Sequence, residues 1–130
     1  MNEISPAGLN DKEPLIGIVG VCAAGKSTLI KGLKEHGFKV KHIAQEHSYV
    51  KNMWKRITNP DILIFLDASY KVTLRRRQFN WTEKDWQEQQ NRLSHARENS
   101  NFLIKTDNLS IEEVLIQAIN FIIHWKIISD

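Results

Sequence analysis

One stretch decides the fold of this chain: Gly20-Val21-Cys22-Ala23-Ala24-Gly25-Lys26-Ser27. It follows the spacing G-x-x-x-x-G-K-[ST], in which the glycines allow backbone angles and close approaches that other residues exclude. A turn built this way points successive main-chain N–H groups inward, and these groups attract an oxyanion. The stretch therefore predicts a loop that binds phosphate groups.

The residues on either side of this P-loop motif support the prediction. Residues 15–19 form an apolar run typical of a buried strand, and Leu29, Ile30 and Leu33 recur at helical spacing. Gly37 lies where a glycine commonly ends a helix. The motif requires the order strand, loop and helix, and this context disfavours a glycine turn with a chance Lys-Ser pair.

The motif assigns expected roles to its last residues. Lys26 would reach the β- and γ-phosphates, and the Ser27 hydroxyl would hold Mg²⁺. The dipole and the unpaired N–H groups at the start of the following helix would add to the attraction for phosphate. The residues expected to form the cradle are Gly20, Val21, Cys22, Ala23, Ala24, Gly25, Lys26, Ser27 and Thr28.

Length and composition are those of an ordinary globular domain. The 130 residues are 42% hydrophobic and 25% charged. No apolar run approaches the roughly 20 residues of a membrane span, so no membrane partner is expected. Residues 1–13 are predicted to be a flexible leader without a signal-peptide core, and residues 14–130 a single P-loop nucleotide-binding domain.

Cysteine content and charge narrow the function classes. Cys22 is the only cysteine, so an internal disulfide is impossible and a cytoplasmic location is expected. The net charge of +3 is too small to indicate general nucleic-acid binding. A nucleic acid is therefore not expected as a partner.

Predicted strands and helices alternate along the chain. This alternation predicts an α/β fold with three layers, α/β/α, around a mainly parallel sheet of four strands. We predict the strand order 2-1-3-4, which reverses about the first strand, where ligands bind outside the carboxyl ends of the strands. Capping boxes are predicted at Thr82–Asp85 and Ser110–Glu113. Beyond the loop, the predicted strands are residues 38–44, 62–66 and 101–105, and the predicted helices are residues 27–36, 48–57, 69–79 and 83–98 and a final helix from residue 111.

Apolar spacing predicts which helix faces are buried. Leu74 is expected to face inward from the basic helix, and Trp86, Leu93 and Ala96 from the helix that follows it. The buried face of the last helix is expected to comprise Val114, Leu115, Ala118, Ile119, Ile122 and Ile123.

Three segments together resemble the P-loop kinases, which include nucleoside monophosphate and deoxynucleoside kinases. These segments are the P-loop, the run Ile64-Phe65-Leu66-Asp67-Ala68-Ser69 before an arginine-rich helix, and Lys105-Thr106-Asp107-Asn108-Leu109-Ser110 before the final helix. The resemblance implies that ATP and Mg²⁺ bind at the loop. It also implies γ-phosphoryl transfer to a small acceptor and a mobile basic lid.

The chain departs from the layout of these kinases after its second strand. Such kinases place another strand and helix there, whereas only residues 45–61 separate Ala44 from Ile62 in this chain. A kinase needs an acceptor site in this region, and a regulatory switch does not. A nucleotide-binding NTPase or switch without an acceptor is therefore the alternative prediction.

Two acidic residues are candidates for a second metal ligand and for a catalytic role. Asp67 ends an apolar strand, and Glu46 lies just past the second strand, beside the first. Phosphoryl transfer needs an acid that holds the metal or its waters. Asp67 could instead cap the helix that follows it, and Glu46 could be a solvated turn residue.

Arginine residues are the candidates for the basic lid that the resemblance implies. Arg75, Arg76 and Arg77 are consecutive, so on a helix they point about 100° apart and cannot all face a ligand. We predict Arg75 or Arg76 as the catalytic arginine that neutralises charge at the γ-phosphate, because Leu74 should face inward. A solvated basic face or a nucleic-acid patch is the alternative. Arg92 is either a second lid arginine or part of a surface ion pair.

Aromatic side chains could line an acceptor pocket, since flat apolar walls suit a ring. Trp54 and Trp86 lie at helical spacing and are more typical of core residues. The candidates for the pocket are His47, Tyr49, Trp54 and Trp81.

Overall fold

A computed structural model describes residues 13–77 and 80–129 of the chain. All of the predicted leader except Glu13 lies outside the described residues, as do the last two residues of the predicted basic helix. None of the helices in the described part combines the length and the hydrophobicity that a membrane crossing requires.

Within residues 13–77 and 80–129, four parallel strands form one sheet. They are β1 (Leu15–Gly20), β2 (Lys39–His42), β3 (Ile62–Asp67) and β4 (Phe102–Lys105). Their order across the sheet is β2-β1-β3-β4, and all three neighbouring pairs are parallel. The predicted α/β class, strand number and strand order are confirmed.

The strands differ in burial as their sequences predict. Nearly every residue of β1 and β3 is buried, so both faces of these central strands are covered. At the edge, β2 exposes Lys39, Lys41 and His42 and buries only Val40. The alternation of basic and apolar residues therefore identified an edge strand.

In the described residues, five helices and one short turn connect the strands, and a sixth helix follows β4. Side chains close the capping boxes at Thr82–Asp85 and Ser110–Glu113, as predicted. A 3₁₀ turn at Gln45–His47 follows β2 and was not predicted. The helices are α1 (Lys26–Glu35), α2 (Met53–Ile57), α3 (Tyr70–Arg77), α4 (Glu83–Arg92), α5 (Ser94–Asn99) and α6 (Ile111–Ser129).

The single helix predicted over residues 83–98 is wrong, because it breaks at Leu93. The Leu93 N–H donates to the carbonyls of Gln89 and Gln90 and so closes α4. Leu93 and Ala96 are fully buried, as predicted, whereas Trp86 is only partly buried. The break turns α5 so that the Arg97 guanidinium lies over the Phe65 ring of β3, 4.6 Å from its centroid.

Two predicted inward-facing residues are exposed. Leu74 is 39% exposed, because α3 buries Val72 and Thr73 instead. Ile123 is 48% exposed, because α6 packs through Ala118 and Ile122. The partly buried residues of α6 that complete its packed face are Val114, Leu115, Ile119, Phe121 and Trp125.

Candidate functional site

The chain turns sharply between β1 and α1, in a segment we call the glycine loop (residues 20–25). A Cβ at Gly20 would overlap the carbonyl oxygen of Leu66 in β3, so only glycine lets the two strands approach this closely. Ala23 (φ 66°) and Gly25 (φ 104°) adopt left-handed backbone conformations. These two residues wrap the loop back over the end of β1 and lead it into α1.

Main-chain N–H groups at the end of the loop are free. In the described part of the chain, the N–H groups of Gly25, Lys26, Ser27 and Thr28 make no hydrogen bond to a protein acceptor. A helix leaves its first N–H groups unpaired, and an anion is the ligand that they favour. The Cys22 N–H, also predicted to bind phosphate, instead donates to Gln89 Oε1 at 2.9 Å.

Lys26 folds back over the loop and is 7% exposed. Its Nζ donates to the Gly20 carbonyl at 2.7 Å and to the Val21 carbonyl at 3.0 Å. It also pairs with Glu46 Oε2 at 2.9 Å. An ammonium group has three donors, and all three have acceptors here. Lys26 therefore links the loop to the segment that follows β2.

Glu46 lies in the 3₁₀ turn after β2, with its side chain 4% exposed. Gln45 fixes this turn, since its side chain accepts from the Trp54 N–H and donates to the carbonyls of Val50 and Arg92. The second carboxylate oxygen of Glu46, Oε1, is buried and has no hydrogen-bond partner in the described part of the chain. Glu46 is thus a buried anion rather than a solvated turn residue.

Asp67, the other candidate acid, is held on the opposite side of β1. Its Oδ1 pairs with the Arg97 guanidinium at 3.1 Å and accepts from Gln90 Nε2 at 3.0 Å. The capping role considered for Asp67 belongs to Ser69, whose hydroxyl accepts from the Val72 N–H. The structure places Glu46, not Asp67, in direct contact with Lys26.

Among the three consecutive arginines, Arg76 contacts the glycine loop. Its guanidinium donates to the Ala23 carbonyl at 2.9 Å and to the hydroxyl and carbonyl of Thr106 at 3.3 Å each. Arg77 lies over the Trp81 ring, and Arg75 makes no hydrogen bond or ion pair within the described ranges. Arg92 makes no ion pair in those ranges, and its guanidinium donates to the Glu46 carbonyl and lies over the Tyr49 ring.

Two residues that contact the glycine loop were not predicted from the sequence. Gln89 is buried on α4 and its side chain binds both the N–H and the thiol of Cys22. Thr106 follows β4, and its hydroxyl donates to the Ala24 carbonyl at 3.2 Å. The position of Thr106 at the carboxyl end of a strand could have identified it. No pattern distinguishes Gln89 from the other polar residues of α4.

A cavity of about 230 Å³ adjoins the loop between α1 and α6. Polar groups from the loop side and apolar side chains from α6 share its lining. Such a mixture suits a ring with polar edges. Its lining includes Ala24, Thr28, Arg76, Thr106, Leu109 and Val114.

The predicted aromatic pocket does not form as one unit. Trp54 and Trp81 are buried, whereas Tyr49 is 84% exposed and lies beneath Arg92. Trp54 borders a smaller cavity of about 160 Å³ near the end of β2. Its indole N–H donates to His95, so it is a core residue with one edge on a pocket.

Comparison with protein-family models and with curated proteins found no match to this chain.

Proposed function

We propose that this protein is a P-loop NTPase of the kinase type, which binds ATP with Mg²⁺ and transfers the γ-phosphoryl group to a small-molecule acceptor. One observation carries the proposal. Four consecutive N–H groups, from Gly25 to Thr28, lack protein acceptors beside the buried ammonium of Lys26. Free N–H donors next to a fixed positive charge are the chemistry that a polyphosphate needs.

The position of these groups in the sheet supports the same function. The strand order reverses about β1, with β2 on one side and β3 on the other. Open parallel sheets bind ligands in the crevice at such a reversal, outside the carboxyl ends of the strands. The glycine loop begins at the carboxyl end of β1.

In the proposed reaction, the residues around the loop would have different roles. Lys26 would move from the carbonyls of Gly20 and Val21 to the β- and γ-phosphates, and Arg76 would leave Ala23 for the transferred group. The Ser27 hydroxyl and the Glu46 carboxylate would hold Mg²⁺, which neutralises charge between the phosphates when bound. The 230 Å³ cavity beside Thr28 and Thr106 would receive part of the nucleoside.

Glu46 is preferred to Asp67 as the acidic group because of the partners that each has. Asp67 is already paired with the Arg97 guanidinium and accepts a hydrogen bond from Gln90. Glu46 has a free buried oxygen and contacts the one lysine of the motif. A divalent cation would satisfy that oxygen without breaking another described contact.

A nucleotide-dependent switch without an acceptor is the second candidate function. The contact of Arg76 with Ala23 and Thr106 ties α3 to the loop. Phosphate in the loop would compete for that arginine and so reposition α3, which is how nucleotides order or release switch segments. The segment between β2 and β3, short for an acceptor site, favours this candidate.

Calorimetric titration with ATP and Mg²⁺ tests nucleotide binding. Wild type is expected to bind one equivalent, and Lys26→Ala to lose the heat signal. Because Lys26→Ala leaves Glu46 buried without its cation, the variant Lys26→Ala/Glu46→Gln provides a folded comparison. Lys39→Ala, exposed at the amino end of β2, is the matched control and should bind like wild type. Unchanged binding in the double variant would contradict the assignment.

A screen with labelled ATP separates the two functions. Nucleosides, nucleotides, sugars and coenzyme precursors are offered as acceptors, and both labelled products and inorganic phosphate are measured. A labelled acceptor supports the kinase. Phosphate release or ATP binding without any labelled acceptor supports the switch.

A further inference from the structure

Three potential metal ligands converge beside the glycine loop. The Cys22 thiol, one Glu46 carboxylate oxygen and a ring nitrogen of His47 all lie within 4.8 Å of one another. Cys22 Sγ is 3.9 Å from His47 Nε2, which is 3.7 Å from Glu46 Oε2, the oxygen that also pairs with Lys26; the other oxygen of the same carboxylate, Oε1, is the one without a partner. In tetrahedral zinc sites, bond lengths of about 2.3 Å to sulfur and about 2.0 Å to nitrogen place the two ligands about 3.6 Å apart. The observed separations need only a small contraction.

We infer that Cys22, Glu46 and His47 form a binding site for Zn²⁺ on the flank of the glycine loop. The buried carboxylate is the observation that points to a cation. Glu46 Oε1 has no hydrogen-bond partner in the described part of the chain, and its side chain is 4% exposed. Buried polar atoms without partners are rare in proteins, and a bound ion is one of the ways in which they are satisfied.

The surroundings of the three ligands suit a metal site. Gln89 Nε2 donates to the Cys22 thiol sulfur at 3.1 Å, while Gln89 Oε1 accepts from the Cys22 N–H. Arg92 holds the Glu46 carbonyl. Hydrogen bonds of this kind orient metal ligands and tune their basicity. The His47 side chain is 60% exposed, so its ring can turn to complete the site.

The ligand set selects the metal. Thiolate and imidazole favour Zn²⁺, whereas Mg²⁺ prefers oxygen ligands alone. On binding, the Cys22 S–H bond breaks, its proton passes to solvent, and the sulfur electron pair forms the bond to zinc. Three protein ligands leave a fourth position for water or another oxygen donor. The site shares Glu46 with the proposed Mg²⁺ site but requires no nucleotide, so its test on nucleotide-free protein can fail or succeed independently of ATP binding.

Cobalt serves as the optical probe, because Zn²⁺ itself gives no absorption. The full chain, reduced and without nucleotide, is titrated with Co²⁺ in the absence of oxygen. We expect one equivalent to give a thiolate-to-cobalt charge-transfer band with the visible bands of a tetrahedral ion. Stoichiometric Zn²⁺ should remove these bands, and excess Mg²⁺ should leave them. Their absence in wild type would overturn the inference.

Substitutions of Cys22 and His47 test whether these two residues bind the metal. Cys22→Ser should abolish the charge-transfer band, and both Cys22→Ser and His47→Gln should weaken Zn²⁺ binding by at least about 100-fold, more than the loss of a residue that only orients a ligand. His124→Gln, exposed on α6, is the matched control and should bind Zn²⁺ like wild type. Thermal unfolding without metal checks that all variants fold. Equal Zn²⁺ affinity in the ligand variants and the control would overturn the site.

Discussion

The glycine loop is held from two sides, and the two sides differ in chemistry. On the β2 side, the contact is a buried ion pair between Lys26 and Glu46, with Cys22 and Gln89 beside it. On the β4 side, Arg76 and Thr106 donate hydrogen bonds to loop carbonyls. One side therefore holds opposite charges out of water, and the other makes contacts that a charged ligand could replace.

This difference in chemistry distinguishes Glu46 from Asp67, two acidic residues that look equivalent in the sequence. Glu46 lies just after β2 and Asp67 ends β3, so both lie near the carboxyl ends of strands that neighbour β1. Asp67 is neutralised by Arg97, whose side chain is 35% exposed, whereas Glu46 is buried against the loop lysine. Proximity to the loop lysine, more than the pattern of an acid after an apolar strand, identifies the acid to test.

The largest expected effect is on stability, from breaking the buried pair. Lys26→Ala would leave the Glu46 carboxylate buried without its cation, so the free energy of unfolding should fall by about 3–5 kcal/mol. Urea denaturation measures this change. Adding Glu46→Gln should recover much of the loss, because no buried charge then remains. If Lys26→Ala is as stable as wild type, the pair is not buried in solution.

The next effect concerns the arginine on the β4 side. Arg76→Ala should slow ATP turnover by about 100-fold or more, because the one arginine of the three that contacts the glycine loop would no longer neutralise the transferred group. Arg75→Ala is the adjacent control and should stay within about twofold, since it has no described contact with the loop. Equal turnover in the two variants would remove Arg76 from the catalytic machinery.

A smaller effect distinguishes the two acids directly. The affinity for ATP is measured with and without Mg²⁺, and the ratio cancels any general loss of nucleotide binding. Glu46→Gln should reduce this ratio by about tenfold, because it removes a charged oxygen from the proposed metal ligands. Asp67→Asn should change it by less than about twofold. If Asp67→Asn lowers this ratio more than Glu46→Gln does, Asp67 rather than Glu46 is the acidic metal ligand.

The smallest effect is expected at the partly exposed pair between Asp67 of β3 and Arg97. Arg97→Ala should lower the free energy of unfolding by about 1 kcal/mol or less, because partly exposed pairs are screened by water. Urea denaturation alongside Lys26→Ala gives the comparison. A loss as large as that of Lys26→Ala would mean that the Asp67–Arg97 pair contributes as much to stability as the Lys26–Glu46 pair.

Much of the fold could be predicted from local sequence patterns. Apolar runs at residues 15–19 and 62–66 identified the buried strands, and the basic alternation around Val40 identified the edge. The break at Leu93 could not be predicted, since Arg97 contacts Phe65 and Asp67 only through the tertiary fold. Ile123 was placed in the core because its spacing cannot show which flank of the apolar stripe on α6 reaches the sheet.

The candidate site was less predictable than the fold. The motif marked Lys26, but its partner Glu46 depends on the 3₁₀ turn that Gln45 holds through distant residues such as Arg92. The choice of Arg76 over Arg75 depended on helix orientation, and the argument from Leu74 was wrong. Long-range hydrogen bonds decide these details, and they have no local signature.

Amide NMR spectra of the isotope-labelled full chain, titrated with ATP and Mg²⁺, test the central claim most directly. The account predicts saturable shifts that are largest for the N–H groups of Gly25, Lys26, Ser27 and Thr28, because these donors are free and would bind phosphate oxygens. The account would be contradicted if ATP is shown to bind while these four signals do not move. It would also be contradicted if the four signals do not move at any ATP concentration reached.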